Sequence, residues 1–188
     1  GVVSGTGVRV VKQGAGTLTL SGASTYDGGT TVQAGVLMLG ASSVGSITSG
    51  PVGTGAVVVS SGAALDLNGE SIANPLSVAG SGVNINGVVN GVMSGVIYNA
   101  NASTVGSATG AITLAADSAF KSEQGLGLQF GSTVNGAYAL TVTGDNNTFN
   151  SSTPFLNTGV LTLGAASTDT FSFPNGAAIT APSSLRLA

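Results

Sequence analysis

The chain has 188 residues, of which 100 are Gly, Ala, Ser or Thr, only 11 carry charge, and none is Cys, His or Trp. That composition leaves no histidine or thiol for a zinc site, a Ser-His-Asp triad, a cysteine nucleophile or a disulfide. Four Lys/Arg against seven Asp/Glu leave no basic stripe for nucleic acid. Disorder is a poor reading, because disordered chains pair low hydrophobicity with high net charge and this one has 42% apolar residues at a net charge of −3. Helical bundles are equally poor, since Gly, Ser, Thr and Val are weak helix formers.

In chain order, short runs with period-two alternation predict strands. They are Val8–Lys12, Gly16–Leu20, Gly35–Leu39, Ala56–Ser60, Leu76–Ala79, Val83–Asn86 and Ala111–Ala115. They continue as Leu126–Phe130, Ala139–Gly144, Gly159–Leu163, Phe171–Phe173 and Ser184–Leu187. Turn dipeptides separate them at Gly28-Gly29, Asn68-Gly69, Asn86-Gly87, Asn135-Gly136 and Asn175-Gly176. Ser71–Ala116 carries no charge, but Gly, Asn and Ser interrupt every apolar run well short of the ~18 residues a membrane helix needs. The chain begins at Gly1 without a signal peptide, which reads as a processed product or an excised fragment.

Several phrases recur. GTLTL at 16–20, GVLML at 35–39 and GVLTL at 159–163 are near-copies, each followed by Ser/Gly/Ala-rich sequence. Gly16 and Gly35 stand 19 residues apart, and further runs follow at about 20-residue spacing. A fixed period of this size favours a solenoid, in which like residues stack over like at about 4.8 Å. The expected fold is all-β, a right-handed parallel β-helix of roughly nine coils forming one domain over residues 1–188. Leu18, Leu20, Leu37, Leu39, Leu65, Leu67, Leu161 and Leu163 point inward, and Thr, Ser and Asn line the outside.

Residues 10–40, VVKQGAGTLTLSGASTYDGGTTVQAGVLMLG, resemble the passenger-associated repeat of bacterial autotransporters. Tyr26, Gly28, Gly29, Thr30, Val32, Gly35, Leu37 and Leu39 stand at its signature positions, and GAVVVSSGAALDLNG at 55–69 is a passenger-type phrase. The resemblance implies a parallel β-helix exported to the bacterial cell surface, extracellular and not inserted in the membrane. The family's outer-membrane barrel has no counterpart here.

Chemistry-bearing residues are sparse. Asp66 and Glu70 are the closest acidic pair; Asp66 alternates with Leu65 and Leu67 and so faces outward, and both read as a solvated rim. Asp117 and Glu123 bracket Phe120-Lys121, read as a loop with a local ion pair. A β-helix lyase or hydrolase needs clustered acids with Arg or Lys on one face, and Arg9 and Arg186 are the sole guanidinium groups. Gly-x-Gly at 5–7 and 53–55 and the sequons at Asn101, Asn146 and Asn150 read as incidental. Tyr26, Tyr98 and Tyr138 could stack on sugar, with core packing the better reading for Tyr26. Phe149, Phe155, Phe171 and Phe173 form an aromatic ladder in the last coils, or a plug for a neighbouring chain. Catalytic residues, cofactors and metals are not expected.

The ends carry the remaining expectation. A solenoid exposes an unpaired rung at each end unless it is capped, and no capping segment is visible. Val8 and Val10 near one end, and Leu185 and Leu187 near the other, are the candidate terminal rungs for head-to-tail stacking of identical subunits. The expected function is a non-catalytic extracellular structural protein: a surface stalk, an adhesin module or a filament subunit. Its partners would be copies of itself or a host or cell-surface glycan. The alternatives are a carbohydrate-active β-helix enzyme and an ice-binding solenoid, which needs a Thr-x-Thr array in every coil.

Overall fold

The computed structural model describes residues 1–43, 47–84, 93–123, 126–150, 155–164 and 169–174, and the backbone of 185–187. The chain winds coil upon coil. The first coil carries β1 (Val10–Lys12) and β2 (Thr17–Leu20), and the second β3 (Thr30–Val32) and β4 (Gly35–Leu39). The third adds a third side, with β5 (Val57–Val59), β6 (Ala63–Asp66) and β7 (Ser71–Ile72). The fourth holds β8 (Leu76–Gly80), β9 (Ile97–Asn99) and β10 (Gly106–Ala108), and the fifth β11 (Ile112–Ser122) and β12 (Leu128–Phe130). The sixth is β13 (Val134–Gly136), β14 (Leu140–Thr143) and β15 (Asn147–Phe149). The seventh is β16 (Phe155–Asn157), β17 (Leu161–Leu163) and β18 (Phe171–Ser172), with β19 (Leu185–Leu187) beyond it.

All pairings between these strands are parallel and join one coil to the next. They build three faces. Face one stacks β1, β3, β5, β8, the start of β11, β13 and β16; face two stacks β2, β4, β6, β9, the end of β11, β14, β17 and β19; face three stacks β7, β10, β12, β15 and β18. The fold is the expected parallel β-helix. The described residues form seven coils and one strand of an eighth, fewer than a 20-residue period implies, because the coils are unequal. Leu18, Leu37, Leu65, Ile97, Phe120, Val142 and Leu163 are successive partners on face two, at spacings of 19 to 32 residues.

That column is the core. Leu37, Leu65, Ile97, Phe120 and Val142 are fully buried. On face one, Thr30, Val57, Leu76, Ile112, Val134 and Phe155 do the same work. Each buried aliphatic side chain contributes about 1.5–3 kcal/mol relative to exposure. Of the leucines expected inside, Leu37, Leu39, Leu65, Leu67, Leu161 and Leu163 are buried, whereas Leu18 and Leu20 in the terminal coil are only partly covered. Of the expected aromatic ladder, Phe149, Phe155 and Phe173 are in ring contact, with Phe149 4.6 Å from Phe155 and 5.5 Å from Phe173, and Phe130 extends it at 4.8 Å from Phe149. Phe171 packs against the core without joining these ring pairs.

Three local expectations are corrected. Lys121 is not in a loop, because β11 turns the corner between two faces as one 11-residue strand with a register shift between Leu114 and Ser118. Asn135-Gly136 is not a turn but part of β13, paired to Leu156 and Asn157. The run at Val83–Asn86 is not a rung; its described part, Val83 and Asn84, lies in an excursion between β8 and β9 whose arms are antiparallel, with Asn84 bridged to Met93 and Ser94 N–H donating to Val83 O at 2.9 Å. Asn86-Gly87 and Asn175-Gly176 lie outside the described residues.

Candidate functional site

On face two the outward positions alternate with the core leucines, so Thr19, Met38, Asp66, Tyr98, Lys121 and Thr143 form one external column. Solvent should bathe this column, yet Asp66 is only 4% exposed and Tyr98 6%. For Tyr98 the cover is the excursion: Val83 packs on the small apolar cluster of the outward-facing Val36, Ala64 and Tyr98. The solvated-rim reading of Asp66 fails: it faces outward but is buried, with the Asn68 and Ala100 N–H groups on its carboxylate.

The carboxylate is well held. Asp66 Oδ1 accepts from Asn68 N–H at 2.9 Å and Ala100 N–H at 3.2 Å, and the hydroxyl of Tyr98, its register neighbour, favours the charged form. Burial still dominates and raises the Asp66 pKa above its ordinary value; these hydrogen bonds oppose the rise and the Glu123 charge adds to it. Burial, followed by the Asp66 charge, raises the Tyr98 phenol in turn. Lys121 Nζ pairs with Glu123 Oε1 at 3.3 Å, completing the expected local ion pair, and Lys121 Nζ also reaches Met93 O at 3.5 Å. Chemically Asp66 can hold a proton, and Lys121 ties the excursion to the rod through Met93 O.

The acidic pair singled out in the sequence does not assemble. Glu70 Oε2 accepts from Ser42 Oγ at 2.6 Å, beyond the Asn68-Gly69 turn, while Asp66 turns to Tyr98. Asp117 is exposed and accepts from Ala139 N–H. No cluster of three potential metal-ligating residues exists among the described residues. The Thr-x-Thr pairs of β2 and β14 face outward, but Val36, Met38, Ala64, Asp66, Tyr98 and Lys121 stand between them, so no regular threonine array forms.

At the first coil, Val8 is 38% exposed and its carbonyl accepts from Gly28 N–H, while Val10 is half-buried over Thr30. Val2 and Val11 are also exposed, at 64% and 43%. Val10 opens β1, and Val8 lies two residues before it, outside the strand. At the other end, Leu185 and Leu187 take the register positions opposite Leu161 and Leu163. Lys12 went unnoticed in the sequence. It occupies an inward position paired to Val32, is 6% exposed, and donates to Gln13 O, Gly14 O and Ala34 O at 2.7–3.1 Å. Its three N–H groups satisfy three carbonyls where two coils turn, a partial cap built from one side chain.

The signature residues of the second coil have physical roles. Tyr26 is 1% exposed, and its hydroxyl lies 2.6 Å from Thr30 Oγ1, which donates to Val52 O of the next coil. Gly29 has φ +81°, and a Cβ there would stand 2.6 Å from Ala56 O. The core-packing reading of Tyr26 is correct, and burial raises its phenol pKa.

Residues 10–39 match the family model of the passenger-associated-transport-repeat, a span that runs from β1 through β4. No curated protein and no solved structure matches the chain significantly. The first two coils therefore carry an autotransporter passenger repeat, a repeat of secreted and surface-displayed proteins, folded as two rungs of a parallel β-helix.

Proposed function

We propose that the chain is a non-catalytic rod in an exported bacterial surface protein, acting as a stalk or adhesin-type module whose terminal coils stack on a further coil of the same kind. One observation supports this most directly. The inward columns of faces one and two run through all seven coils and end at β1 and β2 with Val10, Leu18 and Leu20 only partly covered. A further parallel rung supplied by a second copy would complete both the backbone pairing and the aliphatic columns.

The test is sedimentation and negative-stain imaging of the purified chain. Axial rods longer than one subunit, abolished by a Pro at Val11, whose N–H faces away from β3, while the β-sheet circular dichroism persists, support the reading. A species that stays one subunit long at high concentration overturns the stacking. The non-catalytic part has a separate test. Sugar release from a polysaccharide panel that disappears in Asp66→Asn or Glu123→Gln would establish the enzyme instead.

A further inference from the structure

One aromatic ring stands outside the rod. Of the six Phe and three Tyr, Tyr138 alone is an exposed side chain, at 42%. It lies at the corner between faces one and two in the sixth coil, after β13 and before β14. In the coil above, Ile112 faces Val134 and Ser118 faces Leu140, the same offset on both sides of the corner, so Ala116 stands over Tyr138. In the coil below, Asn135 faces Leu156 and Leu140 faces Leu161, again one offset, which sets Gly159 under Tyr138. A Cβ on Gly159 would meet the Tyr138 backbone. With Ala137 and Ala139 beside it in the chain, all four neighbours of Tyr138 on the coil grid are Ala or Gly. The ring rises from a floor of small residues.

Polar groups stand at two diagonals of that floor. Asp117 is exposed and lies one coil above, over Ala139. Its Oδ1 accepts from Ala139 N–H at 2.9 Å, which fixes the carboxylate beside the ring and leaves the second oxygen for another donor. Thr158 is exposed and lies one coil below, under Ala137. The two are two coil spacings apart, about 10 Å, with the ring between them. Of the described cations, Arg9 and Lys12 belong to the first coil and Lys121 pairs with Glu123.

The geometry points to Tyr138 as the stacking platform of a glycan subsite that takes an uncharged hexopyranose. A pyranose offers a patch of C–H groups edged by hydroxyls. The patch lies on the phenol ring, which the small neighbours leave approachable, while hydroxyls donate to Asp117 and exchange hydrogen bonds with Thr158. A carboxylate without a cation beside it repels uronic and sialic acids, so the ligand is neutral. This rests on the adhesin-type part of the function proposed above and gives it a ligand class; it uses the side of the rod and does not depend on stacking. One ring and two polar groups make a weak site, with a Kd of about 1 mM. A glycan polymer that engages several copies along a rod gains by avidity.

The chain has no Trp, and Tyr26 and Tyr98 are buried, so acrylamide quenching of tyrosine emission reports on Tyr138. Cellohexaose or chitohexaose, both uncharged, should protect that emission at millimolar concentration, and a galacturonic acid hexamer should not. Calorimetric titration should show Tyr138→Ala weakening the neutral hexamer at least about tenfold and Tyr138→Phe keeping it within about twofold, with circular dichroism unchanged in both. Asp117→Asn, which keeps an acceptor for Ala139 N–H, should narrow the discrimination against the galacturonic acid hexamer. Failure of both neutral hexamers to protect Tyr138 overturns the proposal, as does equal binding by Tyr138→Ala. Protection that appears without sugar as protein concentration rises assigns the ring to a protein contact and overturns it too. Sedimentation of the same samples reads stacking, and sugar release reads catalysis, so the subsite and the function it rests on fail on separate measurements.

Discussion

Asp66 on β6 and Tyr98 on β9 are register partners that point away from the core and are nevertheless both buried. Val83 of the excursion between β8 and β9 packs on the cluster that holds Tyr98, and the Asn68 and Ala100 N–H groups meet the Asp66 carboxylate. The carboxylate thus loses water in exchange for neutral donors.

This placement has a pH consequence. The Asp66 pKa is raised by burial, so the protonated form binds more favourably in the folded state than in the unfolded chain. The stability it contributes is complete below the ordinary Asp value of 3.8 and is lost as pH rises through the higher folded value. Asp66→Asn, which keeps an acceptor for Asn68 and Ala100, should flatten that part of the stability curve in urea melts at pH 3 to 7. Asp66→Ala leaves both N–H groups without their acceptor and should cost about 1–3 kcal/mol. An unchanged pH profile in Asp66→Asn would show that Asp66 keeps its ordinary pKa in the fold.

Gly29 should be intolerant of any side chain. Its φ of +81° disfavours L-residues, and the Ala56 carbonyl of the next coil occupies the space a Cβ needs. Gly29→Ala should cost more than about 1 kcal/mol, read as a lower melting temperature. Gly62, at φ +80° with open space around it, tests the separation of the two effects: Gly62→Ala carries the conformational cost alone and should be milder.

What the sequence makes legible follows from locality. Leu18 and Leu37 declare themselves because alternation is read within five residues and the repeat within forty. Tyr26 and Gly29 were legible through the repeat, although their partners Val52 and Ala56 were not. The cover over Tyr98 was invisible because it needs the length of the fourth coil, and residues 81–96 share the Gly/Ser/Val composition of the rungs. The same blindness made Asn135-Gly136 look like a turn; only pairing with Asn157 shows it as strand.

The core columns should show a gradient of sensitivity. Leu37→Ala and Leu65→Ala remove fully buried side chains and should cost about 2–5 kcal/mol each. Leu18→Ala, in the partly covered terminal coil, should cost clearly less. Thermal melts of the three variants side by side decide it, and equal losses would mean that the first coil is covered in solution.

Lys12 is the sharpest test of the end of the rod. Its ammonium supplies donors to the carbonyls of Gln13, Gly14 and Ala34, so Lys12→Met keeps most of the side chain's bulk and removes all three hydrogen bonds. Because each coil contacts only its neighbours, the loss should stay local. Hydrogen exchange should accelerate in β1, β2 and the turn after β3, with protection in β9, β11 and β14 unchanged. Lys12→Arg should restore little, since a planar guanidinium does not reproduce a tetrahedral ammonium aimed at three carbonyls. Uniform deprotection along the chain in Lys12→Met would show that the solenoid melts as one cooperative unit, and that Lys12 closes the whole rod instead of its first turn.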